Sequence, residues 1–109
     1  MTGTASWAGE AASFDELIHS PTRLRICAAL EASTELEFAA LERGLGLSAS
    51  LLSKQLKVLL DAGYVALDKR RQPVGRPRTW VSLTTSGRRT YRCHVAALRG
   101  IVGPLDTGP

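Results

Sequence analysis

From Phe14 to Leu59 apolar positions recur every three or four residues; beyond Gly63 the period drops to two, and after Thr84 it returns to helical spacing. Phe14, Leu17 and Ile18 form one apolar face and predict a helix from Ser13 to His19, with Ser13 as its N-cap. Ser20-Pro21 restarts the chain, because proline suits a first helical position whose N–H has no partner. A second helix is expected over Pro21 to Ala32, with Leu24, Cys27 and Leu30 at helical spacing and Ile26 and Ala28 thickening the buried side. Ser33 to Leu36 is too short for a helix and reads as a small strand, and Glu37 to Gly44 reads as a third helix with Phe38 and Leu41 inward. Gly44-Leu45-Gly46-Leu47 is a tight connection. Ser48 then caps a fourth helix, Ala49 to Ala62, whose stripe Leu52, Leu56, Leu59 points inward and whose left-handed terminator is Gly63. Helix, glycine-containing turn and capped helix form a helix-turn-helix.

Tyr64 to Arg71 alternates, with Val65 and Leu67 on one face, and Thr79 to Leu83 alternates with Val81 and Leu83 together. The turn formers of Gln72-Pro73-Val74-Gly75-Arg76-Pro77-Arg78 join these two strands into a hairpin. Thr84 caps a last helix over Thr85 to Val102, with the stripe Tyr91, Val95, Leu98, Val102, and Gly103-Pro104 stops it. The expected fold is therefore mainly α with a small β-hairpin, a winged helix-turn-helix over residues 13–102, between a mobile tail at 1–12 and a second tail at 103–109.

The length of 109 residues allows one domain with a modest core. No apolar run approaches the ~20 residues that span a bilayer, and Met1 to Ser13 has neither the basic start nor the apolar centre of a secretory signal. A cytoplasmic location is expected. There the two cysteines, Cys27 and Cys93, should be free thiols, Cys27 in the core.

The charge changes the picture through its position. Residues 1–47 hold three basic and seven acidic groups, whereas residues 48–109 hold eleven basic groups against Asp61, Asp68 and Asp106. Such asymmetry points to a polyanion-facing side. Five of these cations, Lys69, Arg70, Arg71, Arg76 and Arg78, lie within ten residues of the hairpin. A hairpin tip is thin enough for the minor groove of DNA, where arginine is drawn by the negative potential of narrow A·T tracts. Opposite Leu52, Leu56 and Leu59, the helix 49–62 presents Ser50, Ser53, Lys54 and Lys57, with Gln55 at the flank. An α-helix fits the ~12 Å major groove, and these side chains can bond base edges or phosphates. The N-terminus of the same helix, at Ser48 and Ala49, offers free N–H groups to a phosphate.

These residues resemble a known family. Leu17-Ile18-His19-Ser20-Pro21-Thr22-Arg23-Leu24-Arg25-Ile26 is similar to the opening of small winged-helix regulators of the MarR/ArsR-like superfamily, and Leu45-Gly46-Leu47-Ser48 with Leu52-Ser53, Leu56 and Leu59 resembles their recognition helix. Ala62-Gly63-Tyr64-Val65, Gly75-Arg76-Pro77-Arg78-Thr79 and Leu83-Thr84-Thr85-Ser86-Gly87-Arg88 resemble their wing and its exit. The resemblance covers about residues 13–100. It implies a homodimeric transcriptional regulator, with repression the expected direction, on pseudo-palindromic double-stranded DNA: helix 49–62 in successive major grooves, wing 69–79 in the minor groove. It also implies dimerisation through the first and last helices, hence through Phe14, Leu17, Tyr91, Val95, Leu98 and Val102. Leu51, Val58 and Leu60 depart from the pattern, since relatives carry polar residues there.

The chemical inventory argues against an enzyme. His19 and His94 are the only histidines, and no Cys/His/carboxylate group has metal-ligand spacing. Cys93 and His94 are adjacent and so point about 100° apart on a helix. No metal and no cofactor are expected; His19 reads as a local hydrogen bonder at a helix end. A small-molecule effector between core and dimer helices remains open, as does a rival reading, a winged-helix protein-interaction module that no longer reads DNA. Leu51, Val58 and Leu60 favour that rival, and the basic hairpin opposes it.

Overall fold

In the computed structural model, which describes residues 15–102, the first helix among the described residues begins at Ser20 and Pro21. That helix, α1, is Pro21–Glu31; its N-cap residue Ser20 makes no side-chain cap bond, so proline alone starts it. The expected cap at Ser13, Phe14 and both tails lie outside the described residues. Within them, residues 16–19 form a single turn rather than a helix. Asp15 caps this turn: its Oδ1 accepts from Ile18 N at 3.0 Å, and His19 N donates to its carbonyl.

The chain continues as β1 (Leu36–Glu37), α2 (Phe38–Leu45), α3 (Ala49–Asp61), β2 (Val65–Arg70), β3 (Arg78–Leu83) and α4 (Thr85–Val102). Gly46, at φ 66°, ends α2 in the left-handed conformation that glycine adopts at no steric cost. Ser48 caps α3 by accepting Leu51 N at 3.1 Å. Gly63, at φ 81°, turns the chain from α3 into β2, with Tyr64 N returning to Leu59 O. Thr84 joins two elements: its hydroxyl accepts from Gly87 N to cap α4 and donates to Gly63 O.

The expected hairpin is there, and it has a third strand. The sheet order is β1-β3-β2, all antiparallel, with Leu36 opposite Val81, and Val65 opposite Leu83. Because side chains alternate across a sheet, Val65, Val81 and Leu83 face the helices, where all three are buried. They complete a core of Ile18, Ile26, Cys27, Leu30, Leu41, Leu52, Leu56 and Leu59. Each such side chain contributes roughly 1.5–3 kcal/mol by leaving water, which is what holds the helices on one face of the sheet.

One buried polar group stands among them. His94 of α4 is fully buried; its Nδ1 accepts from Asp15 N at 3.0 Å and its Nε2 lies 3.3 Å from His19 Nδ1. Since a backbone N–H can only donate, Nδ1 carries no proton and Nε2–H is the donor to His19. Asp15 Oδ2 also accepts from Tyr64 Oη at 3.0 Å. His19 thus bonds across the fold to α4, and Asp15 links the turn before α1 to the end of the helix-turn-helix.

Candidate nucleic-acid interface

The α3 stripe Leu52, Leu56, Leu59 is buried, so the opposite face is necessarily turned out. Ser48, Ala49, Ser50, Ser53, Lys54 and Lys57 are all exposed. Their partners differ. Lys57 Nζ is tethered one turn on to Asp61 at 3.2 Å, whereas among the described residues no carboxylate pairs with Lys54. Ser48 uses its oxygen as the cap and lies 3.4 Å from Ser50 Oγ. Gln55 is half-buried; its Oε1 accepts from Arg23 at 2.7 Å, while Arg23 Nε donates to Leu17 O. Arg23 therefore fastens α3 to the turn before α1. It also leaves the Gln55 amide nitrogen as the end with donors to spare.

The five wing cations divide in the same way. Arg70 and Arg78 sit opposite each other on the last rung of the β2–β3 ladder. By alternation they share the outer face of the sheet with Asp68 and Trp80, away from the helices. Two like charges side by side would repel, and acids from elsewhere in the chain resolve this. Arg70 grips Glu35 through both terminal nitrogens at 2.7 and 2.8 Å, holds Asp68 through Nε at 2.9 Å, and lies 5.0 Å over the Trp80 ring. Arg78 pairs with Glu37 at 3.3 Å. These contacts hold the Glu35 carboxyl below the usual carboxylate range and push the Arg70 guanidinium higher still. Lys69, Arg71 and Arg76 are exposed, and among the described residues no carboxylate pairs with them. The tip also carries Val74, 88% exposed.

The strand pattern showed the alternation that puts Asp68 and Arg70 on one face. It did not show Glu35 and Glu37, because those enter through β1, a two-residue strand with no periodicity of its own. The cations of α4 are likewise partly engaged: Glu31 of α1 takes Arg88 at 2.5 Å and Arg92 at 2.7 Å, which keeps its own carboxyl below the ordinary range. Among the α4 stripe residues, Tyr91 packs on the core, Val95 and Leu98 are half-buried, and the Val102 side chain lies outside the described ones. Leu17 also packs on the core of its own chain.

A helix-turn-helix followed by a β-hairpin is a winged helix, and comparison with known families returns the same domain. The profile of the winged helix DNA-binding domain matches residues 22–102. This chain belongs to that family. The winged helix is similar to the structure of a transcriptional regulator homologue from Pyrococcus horikoshii OT3, at 26% identity and a TM-score of 0.75, over 84% of this chain and 90% of that one. It is similar in fold to the transcriptional repressor BigR from Xylella fastidiosa, at 23% identity and a TM-score of 0.61, over 98% and 97% of the two chains. A mutant MarR from E. coli complexed with operator DNA has the same fold at 18% identity and a TM-score of 0.60; 76% of this chain matches 59% of that one. Among curated protein sequences none matches. The winged helix thus shares its fold with MarR and with the transcriptional regulator homologue. Among the described residues no helix is long and apolar enough to cross a membrane.

Proposed function

We propose that this winged helix is a sequence-specific, double-stranded-DNA-binding transcriptional regulator, a repressor, that works as a cytoplasmic homodimer. The observation that carries this reading is that α3 and the wing present exposed cations, Lys54, Lys69, Arg71 and Arg76, that meet no carboxylate among the described residues. In this account α3 enters the major groove. Ser50, Ser53 and Lys54 reach base edges, while the N–H groups at Ser48 and Ala49 take a phosphate. Arg71 and Arg76 follow the minor groove at the flank, and Lys57 contacts DNA only after releasing Asp61. Arg70 and Arg78, already held by Glu35, Asp68 and Glu37, shape the wing from its outer face.

Dimerisation is assigned to α4, where Tyr91, Val95 and Leu98 align with Ile101, 68% exposed, at helical spacing; Phe14, Leu17 and Val102 are expected at the same interface from the sequence alone. A two-fold dimer would place half-sites about one helical turn apart on a pseudo-palindromic operator. A cleft of about 330 Å³ beside this surface, lined by Glu31, Tyr91, Arg92, Val95, Ala96 and Arg99, is where a small-molecule effector would act on dimer geometry.

The test is an anisotropy titration of the protein against the duplex upstream of its own gene and against a scrambled duplex, at several salt concentrations. Tighter binding to the native duplex with a steep salt dependence supports the regulator. No binding to either duplex would instead favour a protein-interaction module, for which Leu51 and Leu60, both exposed, and the half-buried Val58 are the apolar residues of α3.

A further inference from the structure

The last rung of the β2–β3 ladder is Arg70 opposite Arg78. Beyond Arg70 and Arg78 the wing tip has no ladder partner, and a two-stranded ribbon in water is marginally stable and free to twist. The sheet anchors only one side of it: β1 pairs with β3, and over two residues, so the far end of β2 reaches the body of the protein only through β3. Arg70 closes that gap. Its fork binds both oxygens of Glu35, a residue just before β1, and its plane rests on Trp80 of β3. The segment before β1, β2 and β3 are thereby tied at one guanidinium, whose planar geometry fixes direction as well as distance.

We propose that Arg70 is a positioning residue for DNA recognition, and that the Glu35–Arg70–Trp80 clamp sets the angle at which Arg71 and Arg76 meet the minor groove. The inference rests on the reading that the wing contacts DNA. A direct phosphate contact by Arg70 is the weaker use of this group. Three of its five N–H donors are already taken, and Glu35 with Asp68 gives the cluster a net negative charge, which repels phosphate. The clamp accounts for a basic residue kept on the outer face of the wing beside two acids.

The experiment measures the ratio of affinities for two operator duplexes that differ only in A·T or G·C flanks, in the parent protein, Glu35→Gln, Arg70→Lys and Arg76→Ala. Glu35→Gln removes a negative charge, so a mere competitor for Arg70 would, when removed, strengthen binding to both duplexes equally and leave the ratio intact. Positioning predicts the reverse: the A·T-over-G·C ratio falls about threefold in Glu35→Gln, the scale of losing a well-formed exposed pair. Arg70→Lys keeps the charge, loses the fork, and should lower the ratio equally. Glu35 lies at the surface, and its substitution should shift the melting temperature by only a few degrees. An unchanged ratio in both clamp variants, with Arg76→Ala lowering it, overturns the clamp and leaves the wing reading standing. An unchanged ratio in Arg76→Ala overturns the wing reading and the clamp with it.

Discussion

The arginines of the wing base and the cations of the wing tip are neighbours in sequence and opposites in structure. Arg70 and Arg78 lie on the outer face of the sheet, each with a carboxylate from the segment around β1. Arg71 and Arg76, one or two residues away, are exposed and meet no carboxylate among the described residues. The same division runs between the helices: Arg88 and Arg92 share Glu31, whereas Lys54 meets no carboxylate among the described residues. A count of positive charges treats these groups alike. Their partners sort them into cations that hold the fold together and cations available to a polyanion, and only the second kind releases counterions from DNA on binding.

Breaking the available set should have the largest effect on binding. Lys54→Ala or Ser53→Ala should alter preference inside the half-site by ~1–3 kcal/mol per lost base contact, with melting temperature unchanged. Competition binding with single-base operator variants checks this, and indifference to every half-site change would remove α3 from the interface. Next comes the paired set. Glu31→Ala strands two guanidiniums and should cost ~1 kcal/mol of folding stability, read by urea denaturation, while operator affinity stays within twofold. A large loss of affinity with intact stability would put Arg88 or Arg92 on the DNA.

The intermediate case sharpens the comparison. Lys57 is exposed yet tethered to Asp61, so Asp61→Asn should convert it from one class to the other and raise DNA affinity, by less than about twofold since such i,i+4 pairs are weak. Weaker binding would show that Asp61 itself takes part. Last, His94 contrasts with all of these as a basic group kept neutral: burial, chiefly, holds its imidazole below the ordinary 6.5. A folded-state value below the unfolded one means the unfolded chain binds the proton first. Stability should therefore be complete above pH 6.5 and decline as pH falls below it toward the folded-state value. Thermal melts of the parent protein and His94→Gln across that window should show a slope that the variant lacks; equal slopes would assign the loss to other groups.

Much of this architecture is legible along the chain, for physical reasons. Leu52, Leu56 and Leu59 recur at helical spacing because one side of α3 must leave water, and Gly63 follows because few other residues adopt its φ. The alternation of Val65 with Leu67, and of Val81 with Leu83, marked both wing strands to within a residue of their ends. What stayed hidden was pairing between distant segments. Nothing local joins Glu35 to Arg70 or Asp15 to His94, which lie 35 and 79 residues apart. So the basic hairpin was visible as a candidate, while the division of its arginines was not. The turn before α1 was misread for a similar reason: its capping residue, Asp15, also bonds Tyr64 and His94 from other elements.

In the proposed regulator, partners in space, and not the number of charges, decide which cations meet DNA. The slope of the logarithm of operator affinity against the logarithm of salt concentration tests this most directly, measured for Arg71→Ala, Arg76→Ala, Arg78→Ala and Arg88→Ala beside the parent. Arg71→Ala and Arg76→Ala should each flatten the slope by about one, the loss of one phosphate-scale contact, whereas Arg78→Ala and Arg88→Ala should leave it where it was. Equal flattening by all four, or none from the wing-tip variants, would contradict it.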